Sequence, residues 1–227
     1  MEVKKVVKKW EQVGYSGEVY RFFDKEEYAS ALCNGDIRIS TLDICRKYED
    51  AEQGDAGEGT WTQEIKNLVV DGRDPRNSAL RYAGIYVHPS AVANSIGYAR
   101  TDISLEDAYL ICTTKKYDPT VFKESFGEYC VKISDAQRFA AIIGKAISAL
   151  HDGMDITALY NDVTYLDRRS GINHSVPNAH IGFIKPEHPY KEQNEFRFLW
   201  LPKDRNMKLK TLDLNCHELS YICSRVY

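Results

Sequence analysis

The sequence predicts a mixed α+β chain forming one domain over residues 1–227. Three observations point there. Segments with apolar residues at every second position outnumber those with helical spacing, without the strand–helix–strand regularity of a parallel sheet. A chain of 227 residues, 43% of them apolar, is long enough for one sizeable core. No internal repeat, linker or low-complexity tract divides it.

The elements follow in order. Residues 1–16 are a charged lead-in, with Lys4, Lys5, Lys8 and Lys9 against Val6, Val7 and Trp10, expected as a short helix or edge segment. Residues 17–23 read as a compact strand with Arg21 in its middle. Asp24, with Glu27 three residues on, reads as a capping box. The helix it opens carries Tyr28, Ala31 and Leu32 on one side and stops at Asn34-Gly35. Alternation returns at once over 35–42. Residues at about 46–100 read as an irregular polar insertion: an ordinary long surface connection is favoured, and a mobile lid or insertion over a site is the alternative. There Arg46, Asp55 and Glu58 are interleaved with Gly54, Gly57, Gly59 and Gly72, Asp71-Gly72 marks a turn, and 82–87 is expected as a strand.

Residues 108–114 form a buried strand that turns polar at its end, and 128–133 another. Ser134-Asp135 then caps the strongest helix, with Phe139, Ile142, Ile143, Ala146, Ile147 and Leu150 on one stripe and Gly153 past its end. Residues 162–166 and 179–184 are weaker strands. The segments 209–214 and 219–226 fit strand or helix equally.

Charge and cysteine usage narrow the function. A net charge of −3 gives no global basic field for nucleic acid or membrane, though it leaves room for a local basic groove. The six cysteines stand singly, with no Cys-x-x-Cys spacing, and read as reduced thiols of a cytoplasmic protein. No apolar run approaches a membrane span, and the scattered histidines have no metal-ligand spacing. Gly54-x-x-Gly57-x-Gly59 lacks both the preceding strand and the lysine of a phosphate loop.

The most informative stretch is 185–202, where a polar, proline-bounded loop runs into an alternating segment that ends at Pro202. Period two puts Phe196, Phe198 and Trp200 in the core and is expected to align Gln193, Glu195 and Arg197 on the other face. By itself a Glu-x-Arg strand reads as a solvated charge pair. Arg21 on a strand, the hydroxyl pairs Ser40-Thr41 and Thr113-Thr114 at strand ends, and Gln193-x-Glu195 add to it.

Taken together, Tyr20-Arg21-Phe22, the segment from Gly35 to Ser40, and Glu192-Gln193-Asn194-Glu195-Phe196 resemble the R-S-E class of ADP-ribosyltransferases. The match is also similar to a bacterial family with a Tyr-Arg start and a Glu-x-Glu-x-Arg finish. The resemblance implies an ADP-ribosyltransferase-like fold: a split mixed β-sheet core with flanking helices. It implies NAD as cofactor and substrate, with Arg21 on its phosphates and Tyr20 beside it in the cofactor site. No literal Ser-Thr-Ser occurs; Thr113 and Thr114 are preferred for that role, with Ser40 as a nearby NAD contact, and the assignment stays open. Glu195 is the implied catalytic carboxylate, and Gln193 the catalytic-loop residue that meets the acceptor. Arg197 is expected to contact substrate.

The residue types suit the chemistry. Cleaving the nicotinamide–ribose bond builds positive charge at the anomeric carbon, which a fixed carboxylate stabilises. A pyrophosphate calls for a bidentate cation, hence arginine. In the resembled family, Glu at the place of Gln193 goes with arginine acceptors and Gln with asparagine or guanine-type ones. The resemblance thus tilts the acceptor towards an amide or a nucleic-acid base, with RNA or DNA favoured over protein. Arg168-Arg169, Lys115-Lys116-Tyr117 and Tyr165 form a basic, aromatic set for such an acceptor. The resemblance further implies a toxin of a toxin–antitoxin or phage-defence system with an antitoxin partner. The alternatives are a non-catalytic interaction domain of the same fold and an NAD glycohydrolase.

Overall fold

The computed structural model describes residues 14–48, 55–81, 84–170, 180–204 and 206–226. Most of the charged lead-in therefore lies outside the described residues. In chain order the strands are β1 (Val19–Phe23), β2 (Asp36–Thr41), β3 (Thr60–Val70), β4 (Asn94–Ser104), β5 (Tyr109–Thr114), β6 (Tyr129–Ile133) and β7 (Ile156–Asp162). After them come β8 (Thr164–Tyr165), β9 (Arg169–Ser170), β10 (Ile184–Lys185), β11 (Glu195–Pro202), β12 (Leu212–Asn215) and β13 (Cys223–Val226). The helices are α1 (Glu26–Cys33), α2 (Leu42–Arg46), α3 (Asn77–Leu80), α4 (Pro119–Phe122) and α5 (Ala136–Leu150). The class is mixed α+β, as expected, with one large antiparallel sheet and few helices.

That sheet has eight strands. The path runs β12-β2-β5-β1-β6-β13, with β11 on β5 and β7 on β11. Its core face is built by alternation. Phe196, Phe198 and Trp200 of β11 are fully buried against Phe139, Ala140, Ile143 and Ile147 of α5. Asp135 caps that helix by accepting from the Arg138 N–H at 2.8 Å, as the sequence predicts. The Trp200 indole N–H donates to the Ala140 carbonyl at 3.0 Å, so a large ring is buried with its one polar atom satisfied.

One edge of β5 explains the architecture. Along its other edge β5 pairs with β11 over its whole length, from Tyr109↔Trp200 to Thr114↔Glu195. On this edge it meets β2 only at Tyr109 and Leu110, and β1 only at Thr114. Residues 111–113 have neither neighbour, so the sheet splits there. β1 and β2 both run antiparallel to β5 and hence parallel to each other. α1 makes the crossover between them. Gly35 at φ 98 turns the chain out of α1 into β2; a Cβ there would lie 2.7 Å from the Cys216 carbonyl oxygen.

Several expectations are corrected. α1 starts at Glu26, and its cap residue Lys25 makes no side-chain cap bond, so Asp24 stands one position too early. The segment at about 46–100 is not an irregular insertion in its described part. β3 and β4 form a long hairpin of ten register pairs with a small core of Ile65, Leu68, Val70 and Leu80. The signal was hidden by Asn67, which has φ 49 and no register partner on β4. It shifts the buried positions from 61, 63 and 65 to 68 and 70, so neither alternation runs long. Residues 84–87 are loop, not strand. At the end of the chain β12, a short 3-10 turn over His217–Tyr221, and β13 resolve what the pattern left open. Among the described residues, no helix is long and apolar enough to cross a membrane.

Candidate functional site

The split opens a cleft of about 2050 Å³. It draws Tyr20 and Arg21 from β1, Ser40 from β2, Thr113 and Thr114 from β5, Gln193 from the loop before β11, and Glu195 from its first residue. Seven residues picked from four distant segments thus line one cavity. Registers place Tyr20, Thr114 and Glu195 side by side on one face across three strands. Arg21, one residue on, belongs by alternation to the opposite face of β1 and reaches the cavity because the sheet is open there.

Glu195 lies at the centre of the charge distribution. Its carboxylate is 4% exposed; Oε1 accepts from Arg197 Nε at 2.6 Å, and Oε2 lies 2.9 Å from Lys185 Nζ. The second contact is an ion pair without an aligned hydrogen bond. The Glu195 backbone N–H donates to the Tyr165 hydroxyl at 2.8 Å. Burial alone would raise the Glu195 carboxyl, but Arg197 and Lys185 outweigh it and hold it well below the usual carboxylate range. Glu195 is therefore an anion at the cleft wall. Burial would likewise lower Lys185, and Glu195 outweighs it so that the ammonium is held.

Behind Glu195 the charges form a lattice. Arg197, fully buried, donates through Nη1 to Glu58 Oε1 at 2.6 Å and to the Gly182 carbonyl at 2.7 Å, and through Nη2 to Glu58 Oε2 at 3.2 Å. Arg168 clasps Asp55 with both Nη atoms and approaches Glu58 Oε1 to 3.6 Å. Three carboxylates (Asp55, Glu58, Glu195) face three cations (Arg168, Lys185, Arg197), so the lattice is neutral. Such complete pairing is what buried charge requires. Arg46 fastens its outer end, donating to the Glu58 carbonyl at 2.8 Å and the Leu105 carbonyl at 2.7 Å on either side of the hairpin root.

The expected site residues fare differently. Tyr20 lines the cleft, and its hydroxyl donates to Glu18 Oε1 at 2.6 Å, a bond that pushes its pKa up to about 12. Arg21 has its guanidinium 5.1 Å from the Phe23 ring centre, and burial lowers its pKa; no carboxylate ion pair to it is found among the described residues. The Thr113 and Thr114 hydroxyls donate to the Phe196 and Asn194 carbonyls at 2.7 and 3.1 Å. They brace the start of β11 rather than presenting free hydroxyls to the cavity. Ser40, half-buried with Cys45 Sγ 4.0 Å away, is the more accessible hydroxyl.

Three readings need correction. Gln193 does not share the strand face of Glu195: it ends a 3-10 turn over Lys191–Gln193, and Asn194 at φ 43 breaks the alternation. Arg197 does not reach substrate, because Glu195, Glu58 and Gly182 engage it beneath the cleft wall. The basic, aromatic set is divided: Lys116, Tyr117 and Arg169 are exposed, but the others are engaged. Arg168 and Tyr165 point inward to Asp55 and Glu195, while Lys115 pairs with Asp162 at 2.7 Å and lies 4.0 Å from the Tyr15 ring centre.

The sequence reading missed Glu58, Asp55 and Lys185, and missed Cys112, the solvent-reached thiol opposite Arg197 in the register. The one available signal was Asp55-x-x-Glu58 set among glycines just before a strand. Compared with models of known families, with curated proteins and with solved structures, the chain matches none.

Proposed function

We propose that this protein transfers ADP-ribose from NAD to a macromolecular acceptor, on an ADP-ribosyltransferase-like split sheet. The observation that carries the reading is the convergence on one cleft of Arg21, Ser40, Gln193 and an ionised Glu195. The parts have distinct tasks. Arg21, without a carboxylate partner among the described residues, suits the pyrophosphate. Glu195 suits the charge that develops as the anomeric carbon–nicotinamide nitrogen bond breaks. Nicotinamide leaves with the bonding electrons, the acceptor's nucleophile bonds the anomeric carbon, and its proton passes to solvent. Gln193, lining the cleft, suits an acceptor offering both donor and acceptor atoms, such as a nucleic-acid base. Under this reading the role is that of a toxin or phage-defence effector with an antitoxin partner.

The test is labelled NAD with cell lysate, nuclease and protease treatments, and Glu195→Gln beside the wild type. Label in a nuclease-sensitive fraction that is lost in Glu195→Gln supports transfer to nucleic acid. Free ADP-ribose with no labelled macromolecule points instead to NAD glycohydrolysis. A second reading rests on a specific observation: Glu195 is paired with two cations and both threonine hydroxyls serve the backbone. A non-catalytic interaction domain would look like this, and would neither bind nor cleave NAD.

A further inference from the structure

We infer that Glu58 and Arg197 are positioning residues for Glu195, and that Glu58 keeps the Glu195 carboxylate negative towards the cleft. This rests on the reading of Glu195 as the catalytic carboxylate. Neither residue touches the cavity: Glu58 is 2% exposed and Arg197 fully buried. Both act through one guanidinium.

The geometric part comes from the chain. Glu195 opens β11 directly after a left-handed residue and a short turn, a place where a lone side chain has rotamer freedom. Arg197, two residues on and on the same face, holds Oε1 with Nε, while its far end is anchored by Glu58 and the Gly182 carbonyl. Three anchors on one planar group fix its position, and with it the carboxylate.

The electrostatic part comes from the pairing. Two cations, Arg197 and Lys185, approach Glu195. If both served that carboxylate alone, its charge would be spent before any substrate arrived. Glu58 binds Arg197 through both oxygens, at 2.6 and 3.2 Å, and lies 4.0 Å from Lys185, so it takes up part of both cations. In a low-dielectric site that share is large. Glu58 enters from the segment just before β3, 139 residues away from Arg197.

Cys112 supplies a readout that does not depend on turnover. Its thiol lies within electrostatic reach of Glu195 and Arg197 of β11, Lys185 of β10, Cys45 of α2 and Arg21 of β1. Solvent reaches Cys112 from the cleft, yet the protein packed around its sulfur, then the Glu195 carboxylate, pushes the thiol well above the usual range.

The experiment compares wild type, Glu58→Gln and Glu58→Asp. It measures kcat for NAD cleavage, NAD affinity by equilibrium binding, and the pH midpoint of Cys112 alkylation by peptide mass spectrometry. Glu58→Gln keeps the shape and removes one negative charge, leaving the cations in excess. The expected result is a kcat loss on the order of 10²-fold, unchanged NAD affinity, and a Cys112 midpoint moved to lower pH. Glu58→Asp, which keeps the charge and shortens the reach, retains the wild-type midpoint and loses less kcat. An unshifted midpoint in Glu58→Gln overturns the inference, and so does a shifted midpoint with unchanged kcat. Should Glu58→Gln fail to fold, Glu58→Asp decides by the same two measures: full kcat with a displaced midpoint overturns the inference. Absence of NAD cleavage by the wild type defeats the transferase reading by itself, and the Cys112 midpoint then decides the charge lattice alone.

Discussion

The two walls of the cleft are built on opposite principles. On the β11 side every charge has a counter-charge: Glu195, Arg197, Lys185 and Glu58 are each 4% exposed or less and mutually bound. On the β1–β2 side, among the described residues, Arg21 lies on an aromatic ring with no carboxylate ion pair, and Ser40 has a thiol 4.0 Å away. The first wall is complete before a ligand arrives. The second is short of partners, and a ligand with anionic oxygens would supply them. Under the proposed transferase reading, a preorganised reacting wall faces an under-satisfied binding wall, with stability placed in one and ligand affinity in the other.

Exchanging the same residue type on the two walls tests this most severely. Arg197→Met leaves two buried carboxylates short of their cation and is expected to cost about 3–5 kcal/mol. In a chain of this size that lowers the melting temperature by roughly 10 °C in calorimetry. Arg21→Met removes a desolvated cation with no carboxylate partner among the described residues, so its melting temperature should hold or rise while NAD binding is lost. Equal destabilisation by the two would erase the contrast between the walls.

Next in size is Glu195→Gln, expected to lose on the order of 10²–10³ in NAD turnover. NAD affinity should remain near wild type, because the affinity is assigned to the other wall. A large loss of affinity instead would put binding and chemistry on the same wall.

The lattice also leaves a signature in pH. The Glu195 carboxyl is held below its unfolded value of 4.5, so its contribution is present above that pH and is lost as pH falls further. Lys185 is held above its unfolded value of 10.5, so its contribution is present below that pH and is lost as pH rises beyond it. Chemical denaturation across pH should therefore give a plateau between these limits. The acid limb should flatten in Glu195→Gln. No comparable limb is expected from the exposed Arg100–Asp102 pair on β4, and Arg100→Ala should leave the melting temperature unchanged.

Legibility followed the range of the interactions. Phe196, Phe198 and Trp200, the stripe of α5 with its Asp135 cap, and β5 turning polar at Thr113 were all readable, because each is a repeat or cap within a few residues. Where a local device broke the repeat, reading failed. Asn67 changed the phase of β3, and Asn194 cut Gln193 off from the face of β11. Glu195 and Arg197 were located correctly and their environment was misjudged. Two residues of a strand carry no information about what covers them.

The sequence by itself determined the α+β class, the strong strands and the strongest helix, since local periodicity fixes faces and faces fix the core. Only the tertiary structure decided that the sheet parts at residues 111–113, that Glu195 is buried and anionic, and that Glu58, Lys185 and Arg168 are its surroundings. Those outcomes depend on desolvation and on charge pairs up to 139 residues apart, and both exist only once the chain has closed on itself.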